Sequence, residues 1–189
     1  MFSQAILLII PDKHVEATKH ALASTQRLLM RYFTGILLQI TGIITLVTIG
    51  LTIVGVGFKH SLVIGLMAGM FNVIPYIGPL LGTVFGILLG MATHLEMDFY
   101  TELLPMAGWM LLVFIIVQIT DNVIFQPLIY SSSVNAHPME IFLVIMIAGS
   151  LAGIAGMILA IPTYTIIRVF AKEFFNKIKV VKKLTEKIE

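Results

Sequence analysis

The chain has 189 residues, 58% of them hydrophobic and 12% charged, with a mean hydropathy of +1.01. A soluble domain carries about 25% charged residues, and one globule of this size cannot bury so much apolar surface. The net charge is +2 and there is no cysteine, which excludes a disulfide framework, a thiolate nucleophile and a zinc ribbon.

The charged residues fall outside four runs, Tyr32–Phe58, His60–Leu95, Leu103–Thr120 and Ile141–Ile167. Each reaches the roughly 18 charge-free residues that mark a bilayer-embedded segment. The chain therefore reads as an all-α integral membrane protein. It has no Walker loop, no dinucleotide fingerprint, no His-Glu-x-x-His and no Gly-x-Ser-x-Gly, so neither ATP-driven pumping nor hydrolysis is expected. Basic residues gather at the two ends rather than in a patch, so no nucleic-acid partner is expected.

In chain order, Met1–Ile10 resembles the end of an apolar helix that begins upstream. After Pro11, Val15, Thr18, Leu22, Thr25, Leu29 and Phe33 recur at three- and four-residue steps beside Lys13, Lys19, Arg27 and Arg31. This pattern predicts an amphipathic helix at the membrane surface within 1–31. A first span is expected over 32–58.

The second run, 60–95, is interrupted at Asn72-Val73-Ile74-Pro75-Tyr76-Ile77-Gly78-Pro79. Two prolines and a glycine in five residues do not continue a helix. The arms Ser61–Val73 and Leu80–Ala92 reach about 20 Å each, short of the ~30 Å hydrocarbon core. A re-entrant hairpin is the expectation. A loop with Glu96, Asp98 and Glu102 leads to a second span over 103–120, and a mixed stretch, Asp121–Glu140, follows.

The last run, within a hairpin at 138–167, bends at Gly149-Ser150-Leu151-Ala152-Gly153-Ile154-Ala155-Gly156, and Pro162 is expected to kink its returning arm. The reasoning is parity. Both ends of the chain are basic and belong in the cytoplasm, so the full crossings must be even in number. Residues 168–189 form a basic amphipathic tail, with Phe170, Phe174, Ile178, Val181, Leu184 and Ile188 at helical spacing. The transport core thus spans 32–167, with two hairpins entering from opposite faces, an arrangement that points to a transporter's binding site.

Candidate site residues follow from that layout. Asn72, Pro75, Tyr76, Gly78 and Pro79 place an amide, a phenol and unwound backbone at a hairpin tip; the plainer alternative is an ordinary tight turn. Gln118, Asp121, Asn122 and Gln126 lie close to one helix face. Asp121 inside the membrane would be functional by default, and at the interface would merely end a helix. His137 is either a proton-coupling group or a cap. Gly149 and Gly153 open a Gly-x-x-x-Gly spacing that suits close packing or a solute path. His94, Glu96 and Asp98 are poorly spaced to share a metal, and no catalytic or metal-ligating set is expected.

The string Phe71–Pro79, the pattern Gln118-x-x-Asp121-Asn122-x-x-x-Gln126-Pro127, His137-Pro138, and Gly149–Gly156 leading to Ala160-Ile161-Pro162 together resemble the autoinducer-2 exporter family of bacterial membrane proteins. The likeness runs from about Ile10 to Phe174, and the chain resembles the C-terminal half of a family member. It implies an inner-membrane secondary transporter, cofactor-free, not an enzyme, and assembled as a homo-oligomer. Export of a small polar solute such as autoinducer-2 is the first expectation, and sodium/proton antiport through Asp121 the second. A packing or assembly module without transport of its own is the third.

Overall fold

A computed structural model describes residues 12–127 and 137–175. Among them every regular element is helical and none is a strand. Helix α1 spans Asp12–Val54, α2 Phe58–Phe71, α3 Ile77–Ala92, α4 Leu104–Thr120 and α5 Pro138–Phe175. Two π-helical turns, Phe99–Leu103 and Asp121–Phe125, extend α4 at either end. By length and composition alone, Val15–Val54, Phe99–Phe125 and Met139–Glu173 would each suffice to cross a membrane, though the third is broken at Ala152–Gly153 into two shorter arms. The chain divides into two compact units, one from Gly35 to Leu128 and one that joins the segments before and after it.

Helix α1 corrects one expectation. The amphipathic segment and the first span belong to a single helix of 43 residues. No proline interrupts the chain near Arg31, and Gly35, four residues on, stays helical. The change there is in which solvent the side chains suit, and it leaves the backbone unaffected.

In the unit from Gly35 to Leu128, α1 turns into α2 through Gly55 and Gly57, both at positive φ. Helices α2 and α3, of 14 and 16 residues, pack against each other as a hairpin. Each is about 21–24 Å long. The break is narrower than Asn72–Pro79: α2 ends at Phe71 and α3 begins at Ile77. Gly78 and Pro79 lie in the first turn of α3, where a missing N–H costs no helical bond.

At the tip, Tyr76 has φ 67° and ψ −49°, and the Ile77 N–H donates to the Pro75 carbonyl at 2.8 Å. Those two facts define a γ-turn of the rare, strained kind. Gly78 closes the tip by donating to the Ile74 carbonyl at 2.9 Å.

Gly78, Gly82, Gly86 and Gly90 recur every four residues and are all buried. This stripe lets α3 approach Ala68 and Ile64 of α2 and Phe114 and Met110 of α4, as small residues do between membrane helices. Ile43, Val47, Leu51, Ile64, Met110 and Phe114 anchor the core. The outward faces carry Ile49 and Ile53 on α1, Leu80, Val84 and Leu88 on α3, and Trp109, Ile116 and Ile119 on α4, all exposed. An apolar surface on this scale is suited to hydrocarbon rather than water.

The acidic loop before α4 is organised by Asp98. Its Oδ1 accepts from the Thr101 N–H at 3.0 Å, the Thr101 hydroxyl at 2.8 Å and the Tyr100 N–H at 3.1 Å. These donors, the Thr101 N–H foremost, favour the charged form and hold the carboxyl below its usual value. Because the folded pKa is the lower one, the contribution to stability is present above the unfolded pKa and is lost as pH falls through the folded value. Asp98→Ala is therefore expected to lower the melting temperature at neutral pH. The difference from wild type should shrink progressively on acidification, as read by thermal melts in detergent from pH 7 to pH 3.

In the second unit, α5 reverses on itself. Ala152 (φ −137°, ψ 18°) and Gly153 (φ 59°, ψ −142°) leave helical geometry. The Tyr164 hydroxyl donates to Glu140 Oε2 at 3.0 Å, although the two lie 24 residues apart, about 36 Å along an unbroken helix. A Cβ at Gly156 would strike the Ala148 carbonyl, and one at Gly149 would strike Met157. The arms are thus antiparallel about Ala152–Gly153, within the expected bend. Pro162 lies inside the returning arm, and the reversal itself is at Ala152–Gly153.

A Cβ at Gly153 would meet nothing within 4 Å, so its backbone alone requires glycine. Gly153→Ala is expected to cost about 1–3 kcal/mol. Thermal melts of the variant beside wild type in the same detergent check this. In this unit Ala21 and Leu28 of α1 pack with Val169 and Phe170 of α5. The basic tail continues α5 as far as Phe175. Its later residues, like Met1–Ile10, lie outside the described ones.

Candidate functional site

Three segments of the Gly35–Leu128 unit bring polar side chains to one carboxylate. Asp121 is 1% exposed, and Gln39 and Asn72 are 7% exposed each. Gln39 Nε2 of α1 donates to Asp121 Oδ1 at 2.6 Å. Gln126 Nε2 donates to Oδ2 at 2.9 Å, and Asn72 Nδ2 from the hairpin tip approaches the same oxygen at 3.5 Å. The first two distances fall in or near the charge-assisted range and the third is long. Among the described residues no Lys, Arg or His pairs with Asp121.

Local structure explains the cluster. Asp121 and Gln126 are five residues apart, about 140° around an α-helix, so an unbroken α-helix would not have placed this pair on the single face expected from the sequence. The π-helical turn, in which the Gln126 N–H bonds the Asp121 carbonyl, brings that pair into register. Such turns inside helices are frequent at functional sites. Gln118 Nε2 and Gln126 Nε2 also donate to Asn122 Oδ1, at 3.0 and 2.8 Å. These i,i+4 bonds continue the chain of amides along the helix.

The three contributors sit at matching depths. Measured from the end marked by Val54, Phe58 and Leu104, Gln39, Asn72 and Asp121 lie about 22, 21 and 26 Å away. Beside them is a cavity of about 20 Å³, lined by Asn72, Pro79, Thr83, Gln118 and Asp121 on its polar side and by Ile43, Val47, Phe114 and Val117 on its apolar side. That is room for about one water molecule.

Of the residues singled out in the sequence, Asn72, Pro79, Gln118, Asp121, Asn122 and Gln126 therefore meet. Pro75 and Gly78 shape the tip. Tyr76 is exposed and is not among the residues lining the cavity. Gly149 and Gly153 belong to the other unit. His137 is exposed, and its Nδ1 accepts from the Met139 N–H at 3.3 Å, the capping alternative. No set of three or more His, Cys, Asp or Glu among the described residues is placed to hold a metal. Gln39 was missed by sequence reasoning; the one available signal was an amide in an otherwise apolar run.

A multi-pass helical membrane protein with a buried carboxylate at a broken hairpin has the makings of a transporter. The comparisons agree. The family model of the AI-2E family transporters matches residues 1–176, and the chain belongs to that family. It is 34% identical over 154 residues to "Putative transport protein YueF" of Bacillus subtilis, covering 82% of this chain and 38% of that protein. It is 34% identical over 120 residues to "Putative transport protein YrrI" of the same organism, covering 64% of this chain and 31% of that protein. It is also 39% identical over 56 residues to "Putative permease PerM" of Escherichia coli, covering 30% and 16%. The chain thus spans well under half the length of these relatives. No solved structure matches it.

Proposed function

We propose that this chain forms the ion-handling part of a secondary transporter, in which Asp121 takes up either a proton or a small monovalent cation. The observation that carries the reading is a buried carboxylate with amide donors from Gln39, Gln126 and Asn72 and no cationic partner among the described residues. A primary amide presents N–H on one side and C=O on the other. While Asp121 is charged, the amides offer N–H. When it binds a proton or a cation, rotation of one amide offers oxygen instead, so the same cage serves both states. Competition for one carboxylate then couples the two fluxes.

Both hairpins are read as re-entrant, entering from opposite faces of the bacterial inner membrane with the ends cytoplasmic. On that reading the cluster lies about three quarters of the way across a ~30 Å hydrocarbon core, where broken backbone must face protein or a watery cavity. The cavity volume favours an ion over the first expectation, autoinducer-2 export. A furanone-sized solute needs a site many times larger, so that reading requires the hairpin to move away from α4.

The test is sodium-dependent proton movement in proteoliposomes, wild type beside Asp121→Asn, with a full-length relative under the same conditions. Exchange present in the wild type and absent in the variant supports the proposal. Exchange that survives the substitution overturns it. Activity confined to the full-length relative would favour the assembly-module reading for this chain alone.

A further inference from the structure

We infer that the unit formed by the start of α1 and the end of α5 holds a binding site for the phosphate of an anionic phospholipid headgroup. A cavity of about 300 Å³ lies between the two helices, lined by His20, Ser24 and Arg27 from α1 and Lys172 and Glu173 from α5, with Leu28 and Val169 as its apolar floor. His20, Ser24 and Arg27 are spaced four and three residues apart, which puts them on one face. His20 Nδ1 meets Glu173 Oε2 at 3.3 Å, so the one acid among the described lining residues is engaged across the cavity wall. Arg27, Lys172 and Ser24 supply the rest of the polar lining among the described residues.

This donor set suits a tetrahedral oxyanion. A guanidinium fork, a point cation and a hydroxyl together supply more donors than the two oxygens of a carboxylate use, and phosphate is the usual counterpart of such a set. The apolar surroundings identify the source. Met30 and Phe33 on α1 and Ile166 and Ile167 on α5 are exposed within a turn or two of the cavity. They offer an acyl chain a path beside the headgroup. Basic pockets between membrane helices bind anionic headgroups in this manner. The site is independent of Asp121 and stands or falls separately from the transport reading.

The experiment uses the purified chain in mild detergent, with melting temperature followed against added phosphatidylglycerol, phosphatidylcholine and inorganic phosphate. Phosphatidylglycerol is expected to raise the midpoint saturably and phosphatidylcholine to leave it unchanged. The double variant Arg27→Gln/Lys172→Gln should weaken the phosphatidylglycerol response on the order of tenfold, while Lys59→Gln in the other unit should not alter it. A matching response to inorganic phosphate, lost in the same double variant, would overturn the lipid as the source. A lipid response untouched by the double variant, or reduced equally by Lys59→Gln, would overturn the site. Native mass spectra of the wild type give a reading free of any variant. Preferential retention of phosphatidylglycerol supports the site, and equal retention of the two lipids overturns it.

Discussion

Asp121→Asn is expected to abolish ion-coupled flux while leaving the protein folded, and Asp121→Ala to damage the fold itself. The asparagine keeps one carbonyl oxygen for Gln39 and fills nearly the same space, but it cannot carry a charge or exchange a proton. The alanine removes both acceptors, so the buried amides of Gln39 and Asn72 lose their partner and the small cavity grows. Leaving buried polar groups unsatisfied costs about 1–3 kcal/mol each, which places Asp121→Ala roughly 2–4 kcal/mol below wild type, given that the Asn72 contact is long. Melting temperature and flux measured on the same preparations separate the two effects. Equal stability for wild type and the alanine variant would show that the amide cage does not depend on the carboxylate.

Gly78→Ala is expected to be the most damaging of the conservative changes. A Cβ at Gly78 would overlap the Phe71 carbonyl oxygen and lie against Phe71 C and Asn72 Cα. All three are backbone atoms, so no side chain can rotate away. The tip must open, and with it the γ-turn at Tyr76 and the placement of Asn72 beside Asp121. Overpacking in a well-packed site costs about 1–3 kcal/mol and sometimes more, and here the upper end applies. For a chain of this size that amounts to roughly 10 °C in melting temperature. At Gly90 the nearest atoms belong to the flexible Met110 side chain, so Gly90→Ala is expected to cost clearly less. A Gly78→Ala protein that melts with the wild type would show that the tip is looser than drawn.

These two sites also show how far the sequence reaches. The charge-free runs located the membrane segments because charge is excluded from hydrocarbon wherever it falls in a chain. Pro75 and Pro79 marked the first hairpin, and the glycines from Gly149 to Gly156 the second, because both residue types act on their own backbone. Asn72, Asp121 and Gln126 were legible as polar residues in apolar surroundings.

What the tertiary structure decided are relations between distant positions. Gln39 is 82 residues from Asp121, and nothing local in α1 names its partner. The π-helical turn that brings Gln126 onto Asp121 replaces an α-helical spacing that the sequence equally allows. The γ-turn at Tyr76 is imposed by closure of α2 on α3, since an isolated chain would avoid positive φ at that residue. The fusion of the amphipathic segment with the first span into one helix has the same character. Composition records which solvent each side chain prefers, whereas the course of the backbone depends on what it packs against.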